Sequence, residues 1–432
     1  MKKTDAFRRA AALMAALSIT VSLAAPAFAG TYYIDDGDII ITKDENGRQT
    51  VKRSESDTSE IEDNGEIIIT TREQTITTQE SDLEGPAAED TGFGPVVEKN
   101  YQPAQPEDAE EPKDADQPES AEEPKSADRQ ESAEEQESAG PQPQQAAPAA
   151  APAAPAPVNP KGNGVFGNII TVINKCADKA LKLTLKDVKI DVSHTGTENY
   201  INPEAGKAAL SVQGDGNVEI ELDGKNELKS GHFRAGLEKI ISAGTLTLKD
   251  DNQKAGSLTA TGGSYSAGIG GSYWGSGENI TINGGTVTAT GSYYGAGIGG
   301  GENGSGKNIT INGGTVNAKG GSQGAGIGGG SDGSGENITI NSGTVTAAGG
   351  SYGAGIGGGY WGDYKSGNGG KDITINGGTV TATGGYLGAG IGGGGIGMYD
   401  GYTNGENITI NGGTVTCLLY TSPSPRDISG SR

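Results

Sequence analysis

Two histidines, two cysteines, two tryptophans and three methionines in 432 residues leave little of the equipment that catalysis, metal binding or covalent stapling draws on. Cys417 lies in a stretch read below as foreign. Cys176 then stands alone, and no intramolecular disulfide is expected. Arginine is missing altogether between residues 255 and 416. A nucleic-acid partner is not expected, because neutralising phosphates needs a basic stripe. After the first 29 residues no run approaches the ~18 apolar residues of a membrane-spanning helix. No pair of carboxylates recurs on neighbouring repeats, whereas sugar hydrolysis or elimination needs clustered acids or a base beside cations. The densest acidic group, Asp215, Glu219, Glu221 and Asp223, reads as a strand with a solvated charged face. With only His194 and His232 available besides, no catalytic residues are assigned and no enzyme is expected.

The chain has other things in quantity. Residues 1–29 combine a basic start (Lys2, Lys3, Arg8, Arg9), an apolar run and Ala27-Phe28-Ala29, the layout of a secretory signal peptide. An extracellular protein is expected, in secreted or cell-surface form. The net charge of −23 is concentrated in residues 30–160, which hold 32 acidic and 9 basic residues; residues 161–416 hold 21 and 17. Residues 76–162 are an acidic Pro/Ala/Glu/Gln tract too poor in large apolar side chains to offset its ordering entropy, so a disordered spacer is expected there. Before it, in residues 30–75, G-D-I-I-I-T at Gly37–Thr42 echoes G-E-I-I-I-T at Gly65–Thr70. That echo fits either the first rungs of a solenoid or a free-standing hairpin.

Glycine, at 76 residues, belongs mostly to a block that recurs five times. It reads N-I-T-I-N-G-G-T-V-T-A-T-G-S-Y-Y-G-A-G-I-G-G-G from Asn279, with copies from Asn308, Asn337, Asp372 and Asn407, spaced 29, 29, 35 and 35 residues apart. A fixed period of this size marks a stacked solenoid. Alternation places Ile280, Ile282, Val287, Ala289, Ala296 and Ile298 inward, three short strands per copy. A right-handed parallel β-helix is therefore expected, with a more charged N-terminal section over 163–254 and Gly-rich repeats over 255–416. Cys417 to Asp427 resembles a translated sequencing adapter. Residues 417–432 are accordingly read as non-native and the natural chain as truncated, with a wall anchor, a docking module or a catalytic domain as the alternatives beyond Thr416.

Candidate ligand-binding residues are the aromatics of two loops. One loop holds Tyr293, Tyr294, Tyr352 and Tyr386; the other holds Tyr273, Trp274, Tyr360, Trp361, Tyr364, Tyr399 and Tyr402. Tyr and Trp on Gly-rich loops suit stacking under sugar rings or anchoring a protein, but the same rings could form a self-packing ladder. The outward Gly297 and Gly299 would leave a bare face between two aromatic rims, unless a tight bend requires them. Stacked Thr-x-Thr columns resemble an ice-binding lattice, although strand propensity explains them more simply. The N-I-T asparagines are read as a ladder that satisfies corner backbone groups. Oxygen-rich loops could take Ca²⁺ but lack the regular spacing of a calcium motif.

The block N-I-T-I-N-G-G-T-V-T-A-T-G-G with G-A-G-I-G-G-G, preceded by V-E-I-E-L-D-G-K-N-E-L, resembles secreted bacterial proteins that carry a carbohydrate-binding β-helix domain. The resemblance covers roughly residues 165–416. It implies a non-catalytic module for polysaccharide, such as plant cell-wall or cell-surface glycan, with Ca²⁺ as a possible accompaniment. The alternative is a structural stalk or an adhesin for host or cell-wall protein; a polysaccharide lyase or hydrolase and an ice-binding protein stand behind both.

Overall fold

The computed structural model describes residues 30–72, 167–198, 204–240, 242–252, 255–362, 369–396, 401–402 and 404–419. The expected signal peptide, the acidic tract and the tail after Leu419 lie outside them. Three sheets of eleven, eight and eleven strands run side by side, and nearly every pairing is parallel. A regular copy gives one strand to each: Gly277–Ile282, Thr286–Thr290 and Ile298–Gly299, after which the chain re-enters the first sheet at Gly306–Ile311. Each residue pairs with its equivalent one copy on, Ile280 with Ile309, Val287 with Val316, Ile298 with Ile327. The result is a parallel β-helix.

Its core is the inward set. Ile280, Ile282, Val287, Ala289, Ala296 and Ile298 are fully buried, as are their equivalents through Ile373 and Val380. Burial of one Ile or Val contributes about 1.5–3 kcal/mol, and fixing one residue's backbone costs about 1–2 kcal/mol. One copy alone therefore cannot hold its shape. Stacking gives every interior strand a partner on each side.

Residues 30–72 lie in the same sheets. Ile39–Lys43 pairs in parallel with Ile170–Asn174, and Ile67–Thr70 with Leu181–Lys186. Two antiparallel strands close that end of the third sheet, Gln49–Lys52 on Ile39–Lys43 and Ile61–Glu62 on Gln49–Lys52. Ile34, Ile39, Ile41, Ile67 and Ile69 are fully buried. Among the described residues the middle sheet starts only at Lys189–Asp191. The long acidic tract thus leaves from the end of a first-sheet strand and returns to a third-sheet strand. At the other end, Thr414–Leu419 pairs with Thr379–Gly384, so the strand runs on through Cys417 and Leu418.

The solvated face expected for V-E-I-E-L is not found. Glu221 and Asp223 are buried, and Glu219 lies between Lys182 (3.7 Å) and Lys249 (3.5 Å) on the flanking strands. The backbone amide of Asn252 donates to Glu221 (3.0 Å). In-register parallel stacking puts a rung above and below every outward side chain, so acids in one strand and lysines in the next become ion pairs.

Candidate binding site

The aromatic loops owe their position to glycine. The G-A-G-I-G-G-G segment folds back on itself, with Ala296 N–H donating to Gly300 C=O (2.9 Å), and residues 295–301 are all buried. A side chain at Gly297 would lie 2.6 Å from the Gly326 carbonyl oxygen, and Gly299 has φ +133°. The bare face expected between two rims therefore does not exist: neighbouring backbone covers it, and glycine is there for steric reasons. Because the segment doubles back, its two flanking loops meet. Glu302 N–H donates to Tyr265 C=O (2.8 Å), Ser331 to Tyr294 (2.7 Å) and Tyr360 to Gln323 (2.8 Å). The two expected rims are one surface strip.

At the start of that strip the rings gather. Phe233 stacks on Tyr265 (5.4 Å, 14°), and Tyr265 on Tyr294 (5.1 Å, 4°). Tyr273 leans against Phe233 (5.3 Å) and Tyr265 (5.5 Å), while Trp274 meets Tyr273 edge-on and Tyr293 meets Tyr294 likewise. The inner column is the self-packing ladder. The outer rings are not: Trp274 is 68 % exposed and Tyr293 56 %. Neither Tyr265 nor Phe233 belongs to the candidate set read from the sequence, although F-R-A-G-L aligns with Y-S-A-G-I and puts both rings in one column. Beside Phe233, Arg234 pairs with the buried Glu238 (3.0 Å), which also accepts from the Ser272 hydroxyl (2.6 Å).

A second group lies further along. Tyr352 and Tyr360 are 5.2 Å apart, Tyr386 is 59 % exposed, and the ring nitrogen of Trp361 is buried with no hydrogen-bond partner among the described residues. Tyr364 and Tyr399 lie outside the described residues, as does the side chain of Tyr402. Between the groups the strip is polar: Glu302, Asn303, Gln323 and Asp332. Burial, and then the charge of Asp332, raise the Glu302 carboxyl above its ordinary pKa.

Backbone strain separates these rings from ordinary loop residues. Phe233, Tyr265 and Trp274 have φ of 65°, 67° and 60°. At the positions equivalent to Trp274, Asn303 (59°) and Asp332 (55°) hold the same left-handed conformation. Asn and Asp adopt it readily, while bulky residues do so at a cost of about 1–3 kcal/mol.

Other columns hold the frame. Asn312 donates to Asn283 (2.8 Å) and accepts from Asn341 (2.7 Å), and the row continues to Asn376 and Asn411. A second row runs from Asn337 through Asn308 to Asn279. These N-I-T asparagines are left-handed bulges within the strand: Asn279 donates to the backbone carbonyls of Ser242 and Ala243, whereas Asn308 and Asn337 donate to the asparagine one rung before and Asn407 to Asp372. Next to them sequence reading missed an alternating column, Glu278, Lys307, Glu336, Lys371 and Glu406, each in register with the next. Lys307 and Glu336 are 3.3 Å apart. The Thr-x-Thr columns are interrupted at Asn317, Lys319 and Ala348. His232 Nδ1 lies 2.9 Å from the Ser264 hydroxyl, with Glu198 4.0 Å from the same nitrogen. Among the described residues no three His, Cys, Asp or Glu side chains gather in a way that could hold a metal, and no helix is long and apolar enough to cross a membrane.

Comparison with known proteins agrees with this architecture. No curated protein and no solved structure matches the chain. The family model described as Beta helix repeat matches residues 254–273, 280–302, 309–331, 338–360 and 373–395, which take in the loop tyrosines Tyr265, Tyr273, Tyr293, Tyr294, Tyr352, Tyr360 and Tyr386 and end one residue before Trp274 and Trp361.

Proposed function

We propose that this protein is a secreted or cell-surface, non-catalytic polysaccharide-binding module, and that the aromatic strip is its contact surface. One observation carries the reading: Trp274, 68 % exposed, occupies a left-handed slot that the next two copies fill with Asn303 and Asp332. A large apolar ring held at a conformational cost and left in water does nothing for the corner it stands on. It suits stacking under a sugar ring, with Tyr273 against it and the carboxylates of Glu302 one rung on and Asp332 two rungs on to accept from hydroxyls. The experiment is retention on insoluble cellulose, xylan, mannan and chitin. Saturable retention on at least one, lost in Trp274→Ala and weakened in Trp361→Ala, is the expected outcome. No retention on any of them leaves a stalk or protein adhesin as the better reading.

A further inference from the structure

The two aromatic groups are separate, and their separation has a definite length. Trp274, Asn303, Asp332 and Trp361 occupy one column: Trp274 N–H donates to Glu302 C=O, Asn303 to Ser331 and Asp332 to Tyr360, each one rung on. A parallel column holds Tyr265, Tyr294, Gln323 and Tyr352. Three rungs therefore lie between the two tryptophans, and at the ~4.8 Å spacing of paired strands they are ~14 Å apart along the axis. In the tryptophan column the two intervening positions, Asn303 and Asp332, carry no ring; in the parallel column Tyr294 stands on the first intervening rung and Gln323 on the next.

Around the circumference the strip is bounded by different surfaces. On one side lie the threonine columns of the middle sheet; on the other lie the asparagine row and the alternating Glu/Lys column. Neither offers a ring for stacking. A ligand that uses both aromatic groups has only one path, parallel to the solenoid axis. One rung is about the advance of one pyranose in an extended β-linked chain, so the two platforms fall under sugars three units apart. Glu302 and Asp332, which lie under the middle of that path, can accept hydrogen bonds from hydroxyls and would repel a carboxylate.

We infer that the ligand is an extended, neutral β-linked glycan of four or more pyranose units that lies along the solenoid axis and is held at both ends by the two aromatic platforms. This inference rests on the polysaccharide reading and narrows it. Binding at two sites on one chain raises affinity without new kinds of contact, provided the chain spans them.

Calorimetric titration with β-1,4-linked gluco-, xylo-, manno- and N-acetylglucosamino-oligosaccharides of two to eight units tests it. For the series matching the retaining polysaccharide, affinity should rise about tenfold or more from the dimer and level off once the chain reaches four to five units. Tyr386→Ala, at an exposed position of the second group, should lower affinity for the hexamer severalfold more than for the dimer, which the first group alone can hold. Deleting residues 308–336 removes one rung in register and brings the tryptophans two rungs apart, which should move the plateau one unit shorter. If that chain does not fold, duplicating 308–336 should move the plateau one unit longer. Full affinity for the dimer, or a plateau that does not move with rung number, overturns the axial arrangement while polysaccharide retention stands. Oligogalacturonates bound as tightly as the neutral series overturn the assignment of charge. Absence of retention on every polysaccharide overturns the underlying reading as well.

Discussion

Trp274 and Tyr32 show how differently two aromatic residues can be used in one chain. Trp274 stands in water on a strained backbone, in a slot where Asn303 and Asp332 are at ease. Trp274→Asn should therefore raise stability, by about 0.5–1 kcal/mol, while it abolishes retention on polysaccharide. A thermal midpoint that falls in this variant would show the ring to be structural. Tyr32 belongs to the first rung, where burial and then its hydrogen bond to Asp63 (3.0 Å) push the phenol pKa up to about 12. The folded value exceeds the unfolded value of about 10, so the contribution is complete below about pH 10 and is lost as pH rises toward 12. Tyr32→Phe should flatten the alkaline decline of the melting temperature over that range. An unchanged slope would assign the decline to other groups. Neither role is visible from residue type: backbone φ and burial separate them, and both arise from neighbours about 30 residues away in sequence.

A rung is an element whose partners are other rungs, and its sequence declares this only in part. The inward set was legible at every position, because alternation of Ile, Val and Ala with Thr, Asn and Gly has only one arrangement that hides the apolar side. The joining of the two aromatic loops was not legible. It depends on Ala296 closing onto Gly300, a fold-back that no periodicity encodes. The column Glu278, Lys307, Glu336, Lys371, Glu406 escaped notice for a similar reason: within one copy a single charge carries no pattern, and alternation exists only between copies. This column adds to register at each rung. Glu336→Lys would set three lysines in a row and should destabilise by about 1 kcal/mol, with much of the loss recovered at ~1 M salt, where charges are screened within ~3 Å. Equal loss at low and high salt, followed by thermal melts, would show that the column does not act through charge.

At the scale of the whole molecule, the core is continuous from Ile34 to Val415, yet the chain that builds it is interrupted once by a long acidic tract. Both ends of that tract are held. Before it, Ile67–Thr70 lies between Gly30–Tyr33 and Leu181–Lys186; after it, Ile170–Asn174 lies between Ile39–Lys43 and Leu210–Gln213. A single protease cut between residues 100 and 150 should therefore give two fragments that co-elute in gel filtration and separate only in denaturant. Separation under native conditions would mean that residues 30–72 are not held by the strand pairings described. Composition suggests a spacer, yet the strands on either side of residues 73–166 are partners within neighbouring rungs, so cutting that stretch changes how the chain is connected without removing a single strand pairing.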